Sequence, residues 1–156
     1  ADFRTEKQKK ADAEAKTVVV EGDVLLKKPW LQAKKFITEN DNTDYPGFDL
    51  VTCRPVQGWS VLEDGGNFRS ENTKRVESVV VQRMFSLVSP QGGTLLVQMP
   101  IMGDYRMWVD ELQTVPGIEA KGDGEMIKIV KKAPTDIKLP KISDVRYLSE
   151  TKFKTF

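Results

Sequence analysis

The chain has 156 residues, with 24 basic against 23 acidic side chains, no histidine and one cysteine. That length buries a single core without disulfide or metal staples, and the near-cancelled charge leaves no global field to draw the protein to nucleic acid or anionic lipid. Mean hydropathy is negative, and the longest apolar runs, "TVVV" and "ESVVVQ", fall far short of the roughly 18 residues a membrane span needs.

In chain order, Ala1 to Lys16 is rich in helix formers but has only Phe3 and small alanines as apolar contacts. It reads as a solvated helix, or as an arm that a partner orders. "KTVVVEGDVLLKKP" predicts a strand, a Gly22-Asp23 turn and a short second strand. Pro29 then suits the first turn of a helix in which Trp30, Ala33, Phe36 and Ile37 recur at helical spacing, with Lys27, Lys28, Lys34 and Lys35 around them. "ENDNTDYPG" ends that helix in a polar loop.

"FDLVTCRP" and "GWSVLED" read as two strands. The stretch Arg75 to Pro100, "RVESVVVQRMFSLVSPQGGTLLVQMP", reads as a hairpin around "SPQGG", its first strand, at roughly 45 Å from Arg75 to Val88, long enough to be curved, bulged or projecting past its neighbours. In its returning strand, Leu95, Val97, Met99 and Ile101 share a face. Asp104 caps a helix carrying Tyr105, Trp108, Val109 and Leu112 at i, i+3, i+4 and i+7, and "TVPG" stops it. "GDGEMIKIVKK" supplies a turn and a short strand. The tail is extended by its prolines, and from Glu125 to Phe156 it holds eight basic and four acidic residues. Ile137, Leu139, Ile142, Tyr147, Leu148, Phe153 and Phe156 are too many apolar side chains to leave in water, so either the body or another chain covers them.

The expectation is an α+β domain over 17–132: a curved, mainly antiparallel sheet with two amphipathic helices packed on it, an N-terminal arm over 1–16 and an extended C-terminal arm over 133–156.

The chemistry on offer is narrow. Absence of histidine removes the commonest general base near neutral pH and the Ser-His and Cys-His nucleophile pairs. Cys53, in an alternating strand segment, reads as a packed thiol. "NDNTDYPG" departs from a calcium loop by placing Tyr45 where the sharp-turn glycine belongs and Val51 where the bidentate glutamate belongs. A weaker oxygen site would draw on Asp41, Asp44, Glu63 or Asp64. "EDGGN" and "KGDGE" have glycine without the following Lys-Ser/Thr and helix of a phosphate loop and read as turns. No carboxylate pair is singled out by sequence. The scattered aromatics do not form a nucleic-acid stacking platform. No metal or cofactor is called for. A chain beginning at Ala1 fits either removal of an initiator methionine or cleavage after a signal or transit peptide, so the compartment stays open.

Over "YPGFDLVTCRPVQGWSVLEDGGNF" and the following strand, the chain resembles the PsbP family of thylakoid-lumen photosystem proteins, with Gly47, Phe48, Pro55, Trp59, Asp64 and the strand from Val76 carrying the likeness. The resemblance implies an α/β sandwich on the lumenal side of a photosystem, without catalysis of its own. No metal-binding positions carry over, because this chain has no histidine.

These readings converge on a non-enzymatic structural or accessory subunit that docks on other protein subunits of a larger complex. The alternative is a module that encloses a small apolar ligand in a curved-sheet cavity. A third class, an enzyme, would need convergent carboxylates, or a Lys or Tyr with shifted pKa, in a cleft. The expected partner contacts are Lys34 and Lys35 on the basic helix flank, Phe85, Leu87 and Leu96 on the hairpin, and Tyr147, Phe153 and Phe156 in the tail.

Overall fold

A computed structural model describes residues 4–14, 19–41, 43–53, 71–98, 104–134 and 136–142. The elements run α1 (Glu6–Glu14), α2 (Lys27–Asn40), β1 (Leu50–Cys53), α3 (Glu71–Phe85), β2 (Thr94–Gln98), α4 (Asp104–Leu112), β3 (Ile118–Asp123) and β4 (Met126–Lys131). The four strands form one sheet in the order β1-β2-β4-β3. β1 pairs parallel with β2, whereas β2 with β4 and β3 with β4 are antiparallel. The fold is α+β with a mainly antiparallel sheet.

The connections follow from those pairings. Parallel neighbours need a long crossover, and α3 lies within the one between β1 and β2. Antiparallel β3 and β4 need only the two residues Gly124 and Glu125 between the paired Asp123 and Met126. Gly124 adopts φ of 61°, the left-handed conformation such a turn requires and glycine enters at no steric cost.

The register separates two faces of the sheet. Val51, Leu95, Ile129 and Ala120 form one row, and Cys53, Val97, Ile127 and Gly122 the next. In these rows Leu95, Val97, Ile127 and Ile129 are fully buried. Against them pack Val80, Val81 and Phe85 of α3 and Tyr105, Trp108, Val109 and Leu112 of α4. The i, i+3, i+4, i+7 stripe expected on α4 is thus its buried face. Tyr105 Oη also donates a hydrogen bond to Glu77 Oε2 at 2.7 Å, joining α4 to α3 inside the core. The opposite face carries Leu50, Thr94, Val130 and Glu119 in one row and Thr52, Leu96, Lys128 and Lys121 in the next. Every one of these eight side chains is at least partly exposed.

α2 begins without a side-chain cap; instead Asp23 turns the chain, its Oδ1 accepting from Leu25 N (2.8 Å) and its carbonyl from Leu26 N (3.0 Å). Pro29 falls in the first turn, where a missing N–H costs nothing. Ile37 is buried, and Trp30 packs against the core while its Nε1 donates to the Val24 carbonyl at 2.7 Å. α1 is a helix whose described side chains are mostly exposed, as its composition predicts.

Two expectations are corrected. The long strand expected from Arg75 to Val88 is α3, so no hairpin spans Phe85 to Leu96, and the curvature inferred from that strand's length loses its basis. The valines of "ESVVVQRMF" invite a strand, but Val80, Val81, Met84 and Phe85 also fall on one helical stripe, and β-branched residues cost a helix only about 0.7 kcal/mol each at most. Their burial against the sheet outweighs that preference. The strand pair expected in "KTVVVEGDVLLKKP" is absent among the described residues of that segment: 19–26 form a lead-in to α2 without strand pairing. Of the two covers left open for the tail's apolar residues, body or partner, the first part of the tail takes the body. Ile137, Leu139 and Ile142 are buried in the chain's own core. The second predicted strand of the "FDLVTCRP"–"GWSVLED" pair lies outside the described residues, as do Met99 and Ile101.

Candidate docking surfaces

α3 is where the two flanking segments meet the body. Ser78 Oγ accepts from Ile142 N at 3.1 Å, and Gln82 uses both ends of its amide, Nε2 donating to the Ile137 carbonyl (3.2 Å) and Oε1 accepting from Leu139 N (2.7 Å). Trp108 Nε1 on α4 adds a bond to the Pro140 carbonyl at 2.7 Å. Residues 137–142 therefore form a strap whose side chains fill the core and whose backbone is read by polar groups of two helices. One residue along, Arg83 Nη1 donates to the carbonyls of Val24 (2.9 Å) and Leu25 (2.7 Å), fixing the lead-in to α2.

Trp30 and Ile37 pack inward and half-buried Phe36 stacks on Phe48 with ring centroids 6.4 Å apart, while the lysine-bearing side of α2 turns outward. Leu31 is 62% exposed, and Lys27, Lys28, Lys34 and Lys35 are all exposed. They lie at i−4, i−3, i+3 and i+4 from Leu31, which puts all four within about 60° of it around the helix axis. Among the described residues only Lys35 of the four has an ion-pair partner, Glu39 at 3.7 Å. Lys34 also adds its positive charge to the surroundings of Lys131 on β4. Lys131 is itself buried, its Nζ 5.1 Å from the Phe85 ring centroid; burial lowers its pKa most, Asp136 opposes that, and Lys34 adds to it.

Of the expected contact residues, Lys34 and Lys35 are exposed on α2, and Leu96 sits half-buried on the outer sheet face. Phe85 and Leu87 are corrected: at 1% and 6% exposure they belong to the chain's own interior and cannot meet a partner. Tyr147, Phe153 and Phe156 lie outside the described residues. Sequence reasoning missed Leu31, although the signal was present: a leucine whose helical neighbours on one face are all lysine has nothing of its own to pack on.

The remaining candidate chemistry is structural. Burial pushes the Cys53 thiol up to about 11, so it stays protonated at neutral pH. Asp41 clasps its own loop, Oδ1 accepting from Thr43 N and Oδ2 from Gly47 N at 3.0 Å each, and these bonds, Gly47's first, lower its pKa. Gly47 itself allows a close backbone approach, since a Cβ there would stand 2.5 Å from Ser89 N and Cα. Among the described residues no three acidic, cysteine or histidine side chains cluster as a metal site, and no helix is long and apolar enough to cross a membrane.

Within the residues that carry the PsbP likeness, Phe48 bridges to Val88, the strand expected from Val76 is helix α3, and Pro55, Trp59 and Asp64 lie outside the described residues. No family model, curated protein or solved structure gives a significant match to the chain.

Proposed function

We propose that this chain is a non-enzymatic accessory subunit that docks within a larger protein assembly, with the outer face of α2 as its principal contact. The observation that carries the reading is Leu31, 62% exposed in the middle of four exposed lysines. Completing the burial of a leucine already about two-fifths covered would recover about 1–2 kcal/mol. Lys34 and Lys35 flank that contact on α2.

The test is size-exclusion chromatography with light scattering on the isolated chain and on the chain added to a native extract, each beside the Lys34→Glu/Lys35→Glu variant. The chain alone elutes at its own mass, the extract shifts it into a larger species, and charge reversal abolishes the shift. A chain that elutes identically with and without extract, or a variant that shifts as fully as the wild type, overturns the proposal.

A further inference from the structure

Resting on that reading, we infer that the partner presents an acidic protein segment whose carboxylates surround one apolar side chain, the complement of the Leu31 face. Charge sets the sign. α2 contains four lysines and one acid, Glu39, a net of +3 (4 − 1), although the whole chain is nearly neutral. The basic charge is therefore local, and local charge of one sign selects an opposite surface.

Geometry sets the class. A helix that lies on a membrane inserts its apolar stripe into the lipid and leaves its lysines at the headgroups. In α2 that stripe is already committed: Ile37 is buried, Trp30 packs against the core with its indole N–H bonded to Val24, and the Val24 carbonyl is held in turn by Arg83. What remains outward is Leu31 within the lysines and Leu26, 59% exposed at the N-cap; five residues apart, they fall on different sides of the axis and make no continuous apolar stripe to enter a bilayer. A phosphate backbone would meet the lysines but leave Leu31 unsatisfied. An acidic protein segment with a central apolar residue meets both, its carboxylates pairing at the rim while the apolar contact is desolvated at the centre, the arrangement that concentrates binding energy in protein interfaces.

The probe is a synthetic 15-residue helical peptide with glutamates around a central leucine, titrated into the isotopically labelled full chain and followed by amide chemical shifts. Shifts concentrate on Lys27 to Thr38, affinity falls at least tenfold in Lys34→Glu/Lys35→Glu and severalfold in Leu31→Ser, and raising salt from about 50 to about 300 mM weakens binding through screening. The same chain leaves vesicles of about 30 mol% anionic phospholipid unbound. Vesicle binding that shifts the α2 amides would replace the inference with a membrane surface, and peptide binding indifferent to Leu31→Ser would reduce it to plain charge attraction; either outcome overturns it, as does no binding. A chain that joins a larger species in extract yet ignores the peptide rejects this partner chemistry alone, whereas loss of that species rejects docking.

Discussion

Gln82 and Arg83, neighbours on α3, hold the two flanking segments of the described chain: Gln82 takes the backbone of Ile137 and Leu139, and Arg83 the carbonyls of Val24 and Leu25. Consecutive helical residues point about 100° apart, so one turn of α3 serves a strap on one side and the lead-in to α2 on the other. This ties the position of the exposed lysine face to the same helix that packs on the sheet.

Removing the Gln82 amide should loosen the strap. In Gln82→Ala the partly buried Leu139 N–H loses its acceptor, a change that costs about 1–3 kcal/mol. Hydrogen exchange at Leu139 should accelerate while amides of β4 keep their protection. Unchanged exchange at Leu139 would mean the strap is held by its apolar side chains alone.

Arg83→Met keeps the aliphatic stem but removes both bonds to the α2 lead-in. Hydrogen bonds from a charged donor are each worth about 1.5–3 kcal/mol, and shared geometry makes the pair less than additive, so a loss of about 2–3 kcal/mol in denaturant unfolding is expected. Exchange at Leu26, whose N–H bonds the Asp23 carbonyl, should rise with it. A variant as stable as the wild type would show that Arg83 is dispensable for placing α2.

Cys53 should behave as a packed thiol. With its pKa raised to about 11 by burial, its thiolate fraction at pH 8 is roughly a hundredth of an exposed cysteine's, and alkylation by iodoacetamide should be slower by at least that factor until the protein is unfolded. Alkylation of the native chain at the rate of a free thiol would restore Cys53 as a reactive group.

Lys131 makes a pH prediction with a definite sign. Its folded pKa lies below the ordinary lysine value of 10.5, chiefly because burial disfavours the charge. Between the two values the unfolded chain binds the extra proton, so stability rises with pH through that window. Relative to Lys131→Met, which has no proton to lose, the wild type should gain stability as pH rises toward the ordinary lysine value of 10.5, measured by denaturant unfolding at each pH. A constant difference across the range would contradict the assignment.

Legibility in the sequence followed how local the deciding signal was. α4 was readable because Tyr105, Trp108, Val109 and Leu112 fit only a helical period, and β2 and β4 were readable as short, largely apolar runs set off by the glycine turns before them. β3 was missed because its inward residues Ala120 and Gly122 offer little apolar contrast to Glu119, Lys121 and Asp123. α3 was misread where two periods coexist in one valine run, and the choice between them is made by packing against strands distant in sequence. The bonds of Ser78, Gln82 and Arg83 to backbone 55 to 64 residues away leave no local trace. At the candidate surface, Lys34 and Lys35 could be named from the helix pattern, whereas Phe85 and Leu87 were placed outside by the misread hairpin.

Photo-crosslinking from position 31 tests the docking account most directly. A photoreactive amino acid placed at Leu31, and separately at exposed Met126 on the outer sheet face, is irradiated in native extract with and without Lys34→Glu/Lys35→Glu. The account predicts one discrete adduct from position 31 that vanishes on charge reversal and does not form from position 126. No adduct from position 31, or the same adducts from both positions regardless of charge, would contradict it.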